Sequence, residues 1–245
     1  MTEMEIAKLK VSGDSAILVE FENRIAPEIN RLVRSFTMAL AGKNIPGIVE
    51  IVPSYRAVTV HYDPSFILFD ALRKALKDVL AHLDEAEIPP ATVWEIPVLY
   101  GGEEGPDLSF VAQHNGRSEE DVIRIHSSAE YLVYMLGFTP GFPYLGGMDA
   151  AIAAPRLKAP RLKIPAGSVG IAGQQTGIYP IASPGGWQLI GRTPVKLYDP
   201  MRAEPVLVQA GDYIKFTAVD AAEYARIAAE AEKGSYRCRT WRKEG

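Results

Sequence analysis

PRLKAPRLKIPAGSVGIAGQQTGIYPIASPGGWQLIGRTP, residues 155–194, is the stretch on which the reading of the fold turns. Glycine or proline interrupts every apolar run in it, so neither a helix nor a long strand fits, and short strands with tight turns do. The same punctuation reaches outward from Tyr131 to Pro200, through Gly137, Gly141, Gly146, Gly147, Gly167, Gly170, Gly173, Gly177, Gly185, Gly186 and Gly191. Many short strands with Gly/Pro turns predict a closed β-barrel or a sandwich. Trp94 to Tyr100 reads as a strand before this region; Val206–Gln209 and Tyr213–Thr217 read as two after it, around Gly211-Asp212. Ser118-Glu-Glu-Asp121 has the capping-box pattern and opens a helix through His126. A last helix is expected from Asp220 to Lys233, capped by Asp220 and Glu223 and stopped by Gly234. The basic tail beyond it, with Lys243 and three arginines, is expected to be partly disordered, and Cys238 in it to be a free thiol.

The first 85 or so residues differ in kind. Lys8–Val11 and Ala16–Phe21 read as strands around a Gly13-Asp14 turn, and Ile48–Val52 and Ala57–Tyr62 as a second pair. Ile29, Leu32, Val33, Phe36 and Leu40 recur at helical spacing between the pairs, as do Leu68, Phe69, Leu72, Leu76, Val79, Leu80 and Leu83 after them. This order predicts helices packed on one face of an antiparallel sheet. Glu85 to Ala91, with Pro89-Pro90, is the expected linker. The division is therefore an α+β domain over residues 1–88 and a mainly-β domain over 89–245.

With 47% hydrophobic and 23% charged residues, the chain has enough apolar material for globular cores. A net charge of −4 argues against a nucleic-acid partner. One cysteine excludes an internal disulfide and fits a reducing compartment. The N-terminus lacks a signal-peptide pattern and no apolar run is long enough for a membrane span, so a cytoplasmic location is expected. Charge is uneven: residues 155–202 hold seven basic residues and one acid, while 89–154 hold nine acids and two basic residues. Either the basic segment receives a small anionic ligand or the two segments pair with each other.

Common catalytic signatures are missing. There is no G-x-x-x-x-G-K-[ST] phosphate loop, no H-E-x-x-H, no paired-cysteine metal pattern and no G-x-S-x-G, so no metal site is expected. Gly167-Ser-Val-Gly-Ile-Ala-Gly173 is glycine-rich but lacks the Lys-Ser/Thr that a phosphate loop requires. Two segments stand out. Gly137-Phe-Thr-Pro-Gly-Phe-Pro-Tyr-Leu-Gly-Gly147 alternates aromatics with Gly and Pro, as a compact aromatic-anchored loop or a rigid pocket wall would. Pro155-Arg-Leu-Lys is repeated at Pro160-Arg-Leu-Lys. In extended chain, residues two apart share a face, so Arg156 with Lys158, and Arg161 with Lys163, form two cationic forks suited to carboxylate or phosphate. The plainer alternative is a solvated basic edge.

His126-Ser-Ser-Ala-Glu-Tyr131, GFTPGFPYLGG at 137–147 and the 155–194 stretch together resemble the KipI/PxpB family, known also as allophanate hydrolase subunit 1. The resemblance implies a ferredoxin-like N-terminal domain followed by a cyclophilin-like barrel. It implies a component of an ATP-dependent 5-oxoprolinase, which opens 5-oxoproline to glutamate with a homologous PxpC-like barrel subunit and a PxpA-like subunit, using ATP with magnesium. Other relatives imply the alternatives of a histidine-kinase inhibitor or the carboxyltransferase half of a urea carboxylase. Within the signature, His126, Tyr131, Arg161 and Lys163 are the candidates for catalysis, with a buried structural histidine as the alternative for His126. Arg156, Ser168, Gln174, Thr176, Tyr179 and Arg192 are the candidates for holding substrate or phosphate.

Overall fold

The computed structural model describes residues 6–83 and 89–243. Residues 85–88 of the expected linker lie outside the described residues. Contacts divide the chain into two units, Met1–Pro89 and Pro90–Gly245.

The first unit contains β1 (Lys8–Val11), β2 (Ala16–Glu20), α1 (Pro27–Gly42), β3 (Ile48–Pro53), β4 (Ala57–Tyr62) and α2 (Phe69–Ala81). Its sheet has the order β1-β2-β4-β3 and is antiparallel throughout. Strand alternation sends Ile17 and Val19 of β2, and Val58 and Val60 of β4, to one face, where all four are fully buried. The register pairs Ile17 with Val60 and Val19 with Val58, so these side chains form one apolar patch. Helix α1 covers it with Ile29, Val33, Phe36 and Leu40, and α2 with Leu72, Leu76 and Val79, both at the three-to-four spacing of one helix face. Each large side chain so buried stabilises the unit by about 1.5–3 kcal/mol before entropy is counted.

The second unit begins with β5 (Thr92–Tyr100), α3 (Leu108–His114), α4 (Glu119–Ser128), β6 (Glu130–Leu136) and β7 (Pro143–Gly146). It continues with β8 (Arg161–Ile164), β9 (Ser168–Ala172), β10 (Gln175–Ile178), β11 (Ser183–Gly185) and β12 (Gln188–Arg192), and ends with β13 (Tyr213–Ala218), α5 (Ala221–Glu232) and β14 (Thr240–Arg242). The main sheet runs β10-β9-β12-β5-β13-β6-β7, with β13 parallel to β5 and the other pairs antiparallel. Its end strands, β10 and β7, pack against each other, so the sheet is a nearly closed mixed barrel. Ile96, Val98, Val133, Leu145, Val169, Ile171, Ile178, Ile190, Ile214 and Phe216 fill it. Strands β8 and β11 form a separate ribbon over a second, smaller core of Phe142, Ile164, Ala172, Tyr179, Trp187 and Leu189.

The tail differs from the sequence expectation. Residues 240–242 form β14, pairing antiparallel with the start of β5, and Tyr236 and Cys238 pack against the barrel core. Spaced two apart, these side chains share a face in extended chain, and that face is apolar although the segment is basic overall. Burial pushes the Cys238 thiol up to about 12. Helix α3 has no counterpart in the expectations. The Ser118 cap is formed as expected, its side chain accepting from the Asp121 N–H at 3.1 Å, and Asp220 caps α5 through the Glu223 N–H at 2.8 Å.

Candidate functional site

The two singled-out segments meet in one pocket of about 300 Å3, lined by Phe138, Phe142, Tyr144, Tyr179 and Trp187, with Arg156, Pro160, Pro184, Gly185 and Gly186 completing it. Phe142 is the hub: its ring lies edge-on to Phe138, Tyr144, Tyr179 and Trp187, at centroid distances of 5.6, 5.2, 5.4 and 5.6 Å. Such edge-to-face pairs are the favoured geometry of aromatic quadrupoles and hold the rings rigidly. Two glycines make room for them. A Cβ on Gly177 would sit 3.1 Å from both Phe142 and Trp187, and one on Gly185 only 2.4 Å from the Tyr179 hydroxyl. Burial raises the pKa of the Tyr179 hydroxyl, partly offset by the Trp187 N–H and by the charges of Arg156 and Arg161. Phe138 is different: it is 62% exposed and its φ is 65°, a left-handed conformation rare for a bulky side chain.

The four arginine and lysine residues of the repeat separate here. Arg161 donates from one guanidinium nitrogen, Nη2, to both carboxylate oxygens of Asp107, at 2.7 and 2.9 Å, and from Nη1 to the Trp187 carbonyl at 3.2 Å. Asp107 also accepts from the Leu189 N–H at 2.6 Å. Arg161 therefore fastens the chain that carries Trp187. Arg192 is similarly committed, to the Ala166 carbonyl at 2.8 Å and to Glu104 at 3.2 Å. Both acidic partners belong to the 89–154 segment, so the pairing of the two oppositely charged segments is realised at these two arginines. Lys158 and Lys163 are exposed. Arg156 is exposed too, its guanidinium 6.0 Å from the Trp187 ring centroid. Its backbone is pinned on both sides: Pro155 O accepts from the Gln188 side chain at 2.8 Å, and the Leu157 N–H donates to Gly186 O at 2.7 Å.

His126, Thr176 and Tyr131 lie elsewhere, in the barrel core. His126 is fully buried and stacks on Phe216 at 4.5 Å. The Thr176 hydroxyl donates to Gly170 O at 3.1 Å, so it accepts the Nε2 proton of His126 at 2.8 Å. His126 Nδ1 then accepts from the Tyr100 hydroxyl at 2.7 Å. The network assigns the neutral Nε2–H tautomer. Burial lowers the pKa of His126 to about 3 and raises those of Tyr100 and Tyr131. Tyr131 donates to the His126 carbonyl at 2.7 Å. Ser168 is buried in β9, and Gln174 is exposed at the β9–β10 turn. Sequence reasoning singled out the loop and the arginines that the structure places at and around this pocket, but not Trp187 or Asp107. Pro184-Gly-Gly-Trp187, an aromatic after paired glycines, was the available signal for the first. Among the described residues no group of three or more His, Cys, Asp or Glu side chains could hold a metal, and no helix is long and apolar enough to cross a membrane.

Residues 7–208 match the carboxyltransferase domain, subdomains C and D, and the chain belongs to this family. Within it, the chain is similar to the B components of bacterial 5-oxoprolinases, in keeping with the KipI/PxpB resemblance. It is 46% identical to that of Bacillus subtilis (strain 168), over 86% of this chain and 92% of the relative. It is 49% identical to that of Haemophilus influenzae, over 83% and 94%. The crystal structure of the Kluyveromyces lactis urea carboxylase shares the fold, with a TM-score of 0.78 and 23% identity over 97% of this chain and 24% of that one.

Proposed function

We propose that this chain is the B component of an ATP-dependent 5-oxoprolinase. The observation that supports it is the 46–49% identity to B components of that enzyme over more than nine-tenths of their length. The reaction consumes 5-oxoproline, ATP and two waters and yields glutamate, ADP and phosphate. A lactam is a resonance-stabilised amide, and phosphorylation of its carbonyl oxygen makes the ring carbon open to water. The site must bind the substrate carboxylate, orient the ring and exclude bulk water. The aromatic pocket with Arg156 fits the first two tasks. Arg161 and Arg192 act by positioning, through Asp107 and Glu104. His126, Tyr131 and Thr176 hold the barrel core, and Ser168 is buried in β9. Lys163 and Gln174, both exposed, are left for phosphate or for a neighbouring protein of the assembly.

The proposed assembly includes a homologous PxpC-like barrel subunit and a PxpA-like subunit, works in the cytoplasm, and uses ATP with magnesium. The isolated chain is inactive. The same proposal reads the first unit, residues 1–88, as ferredoxin-like: β2-α1-β3-β4-α2 has that order, and β1 takes the sheet position beside β2 where a last strand would lie. The test is ATP-dependent release of glutamate from 5-oxoproline by the co-expressed proteins, with and without this chain. Activity should vanish on its omission; unchanged turnover without it would overturn the proposal.

A further inference from the structure

We infer that the aromatic pocket is the 5-oxoproline site, with Arg156 receiving the carboxylate of a small lactam ring laid against Trp187 and Phe138 closing the mouth. This rests on the function proposed above and adds to it which residues recognise the substrate.

Charge, size and pre-organisation agree. Among the described residues, ten line the pocket, of which Arg156 carries the one charge and none is a carboxylate. A single cation facing an apolar wall suits a compact monoanion. A nucleoside triphosphate carries several negative charges and needs several cations. The neighbouring Arg161 and Arg192 are already held by Asp107 and Glu104. The volume of about 300 Å3 also suits a five-membered ring better than a nucleotide. Among the described residues Arg156 has no carboxylate partner, yet the hydrogen bonds of Pro155 and Leu157 fix its backbone beside Trp187. A cation held ready but unneutralised, over the Trp187 ring at the wall of the pocket, is a pre-formed half of an ion pair.

The mouth carries a second sign. Phe138 combines large exposure with a strained backbone, a combination that costs free energy in the free protein and recurs at ligand clamps. Among the described residues the hydroxyl of the adjacent Thr139 is buried with no hydrogen-bond partner, as is that of Ser183, next to the lining residue Pro184. The 137–142 loop and the start of β11, which both border the pocket, therefore each keep an unsatisfied polar atom, which a rearrangement on substrate binding would relieve.

The test is steady-state kinetics of the assembled, co-expressed complex carrying variants of this chain. Arg156→Ala should raise the KM for 5-oxoproline about tenfold or more, the worth of one charge-assisted hydrogen-bonded pair, while kcat and the KM for ATP stay within about threefold. Arg156→Lys should fall between, since it keeps the charge and loses the fork. Phe138→Ala should raise the same KM by a smaller factor. The uncharged amide of 5-oxoproline should inhibit the wild-type and Arg156→Ala complexes equally. A KM for 5-oxoproline within about twofold of wild type in Arg156→Ala, or a parallel rise in the KM for ATP, overturns the inference. A wild-type complex that does not turn over, or turns over without this chain, instead overturns the functional reading beneath it.

Discussion

In the first copy of Pro-Arg-Leu-Lys, residues 155–158, Arg156 stands exposed beside Trp187; in the second, 160–163, Arg161 is bound twice by Asp107. The leucines diverge as well: Leu157 is half-buried, while Leu162 is 95% exposed on the ribbon. Identical tetrapeptides thus end in opposite situations. The difference comes from what each meets. The second copy pairs as a strand with β11, which aims Arg161 at a carboxylate 54 residues away. The first has no strand partner among the described residues and is tied through its backbone to residues 186–188, which leaves its guanidinium available. An arginine in a sequence is a binding candidate only once its local acids are accounted for.

The largest expected effect breaks this contrast directly. Arg161→Ala strands the Asp107 carboxylate, 13% exposed, without its cation and should cost about 2–4 kcal/mol in urea unfolding. Arg156→Ala should cost less than about 0.5 kcal/mol. Equal losses would mean that the two copies do the same work. Next, Gly185→Ala drives a methyl into the Tyr179 hydroxyl and Ile164, and should lower stability by about 1–3 kcal/mol. A neutral result would show that the ribbon over the pocket gives way.

His126 extends the contrast to a cation-capable group buried, among the described residues, with no acid beside it. Its pKa falls from 6.5 to about 3 because burial disfavours the imidazolium. Between those values the unfolded chain binds the extra proton, so stability is complete above pH 6.5 and falls as the pH is lowered toward 3. The slope from this group is at most about 1.4 kcal/mol per pH unit. In unfolding measured from about pH 7 to about pH 4, His126→Gln should show a shallower decline than wild type; an equal decline would mean that His126 is charged in the fold. The smallest effect concerns the tail. With its thiol pushed up to about 12, Cys238 should react with iodoacetamide at about pH 8 far more slowly than in urea. Rapid alkylation of the native chain would return the tail to the frayed segment that its basic composition suggested.

Much of the barrel was readable because Gly and Pro between short apolar runs leave few other structures, and both halves of the α+β unit followed from period-2 and helical spacing. Helix α3 was not, since seven residues give too few turns for a periodic signal. The docked tail was hidden because its charge outweighed the two-residue spacing of Tyr236 and Cys238. At the site, the aromatic loop was legible as a segment, but its partner Trp187 lies some 45 residues on and only packing joins them. The burial of His126 was likewise invisible locally, because Tyr100 and Thr176 approach it from 26 and 50 residues away.

The most direct measurement is a crystal structure of the chain with its co-expressed partner proteins and 5-oxoproline. The substrate carboxylate should lie about 3 Å from the Arg156 guanidinium, with the ring on Trp187 and Arg161 still paired with Asp107. A carboxylate seated on Arg161 or Lys163, or a ring bound outside the aromatic pocket, would contradict the division of labour between the two copies.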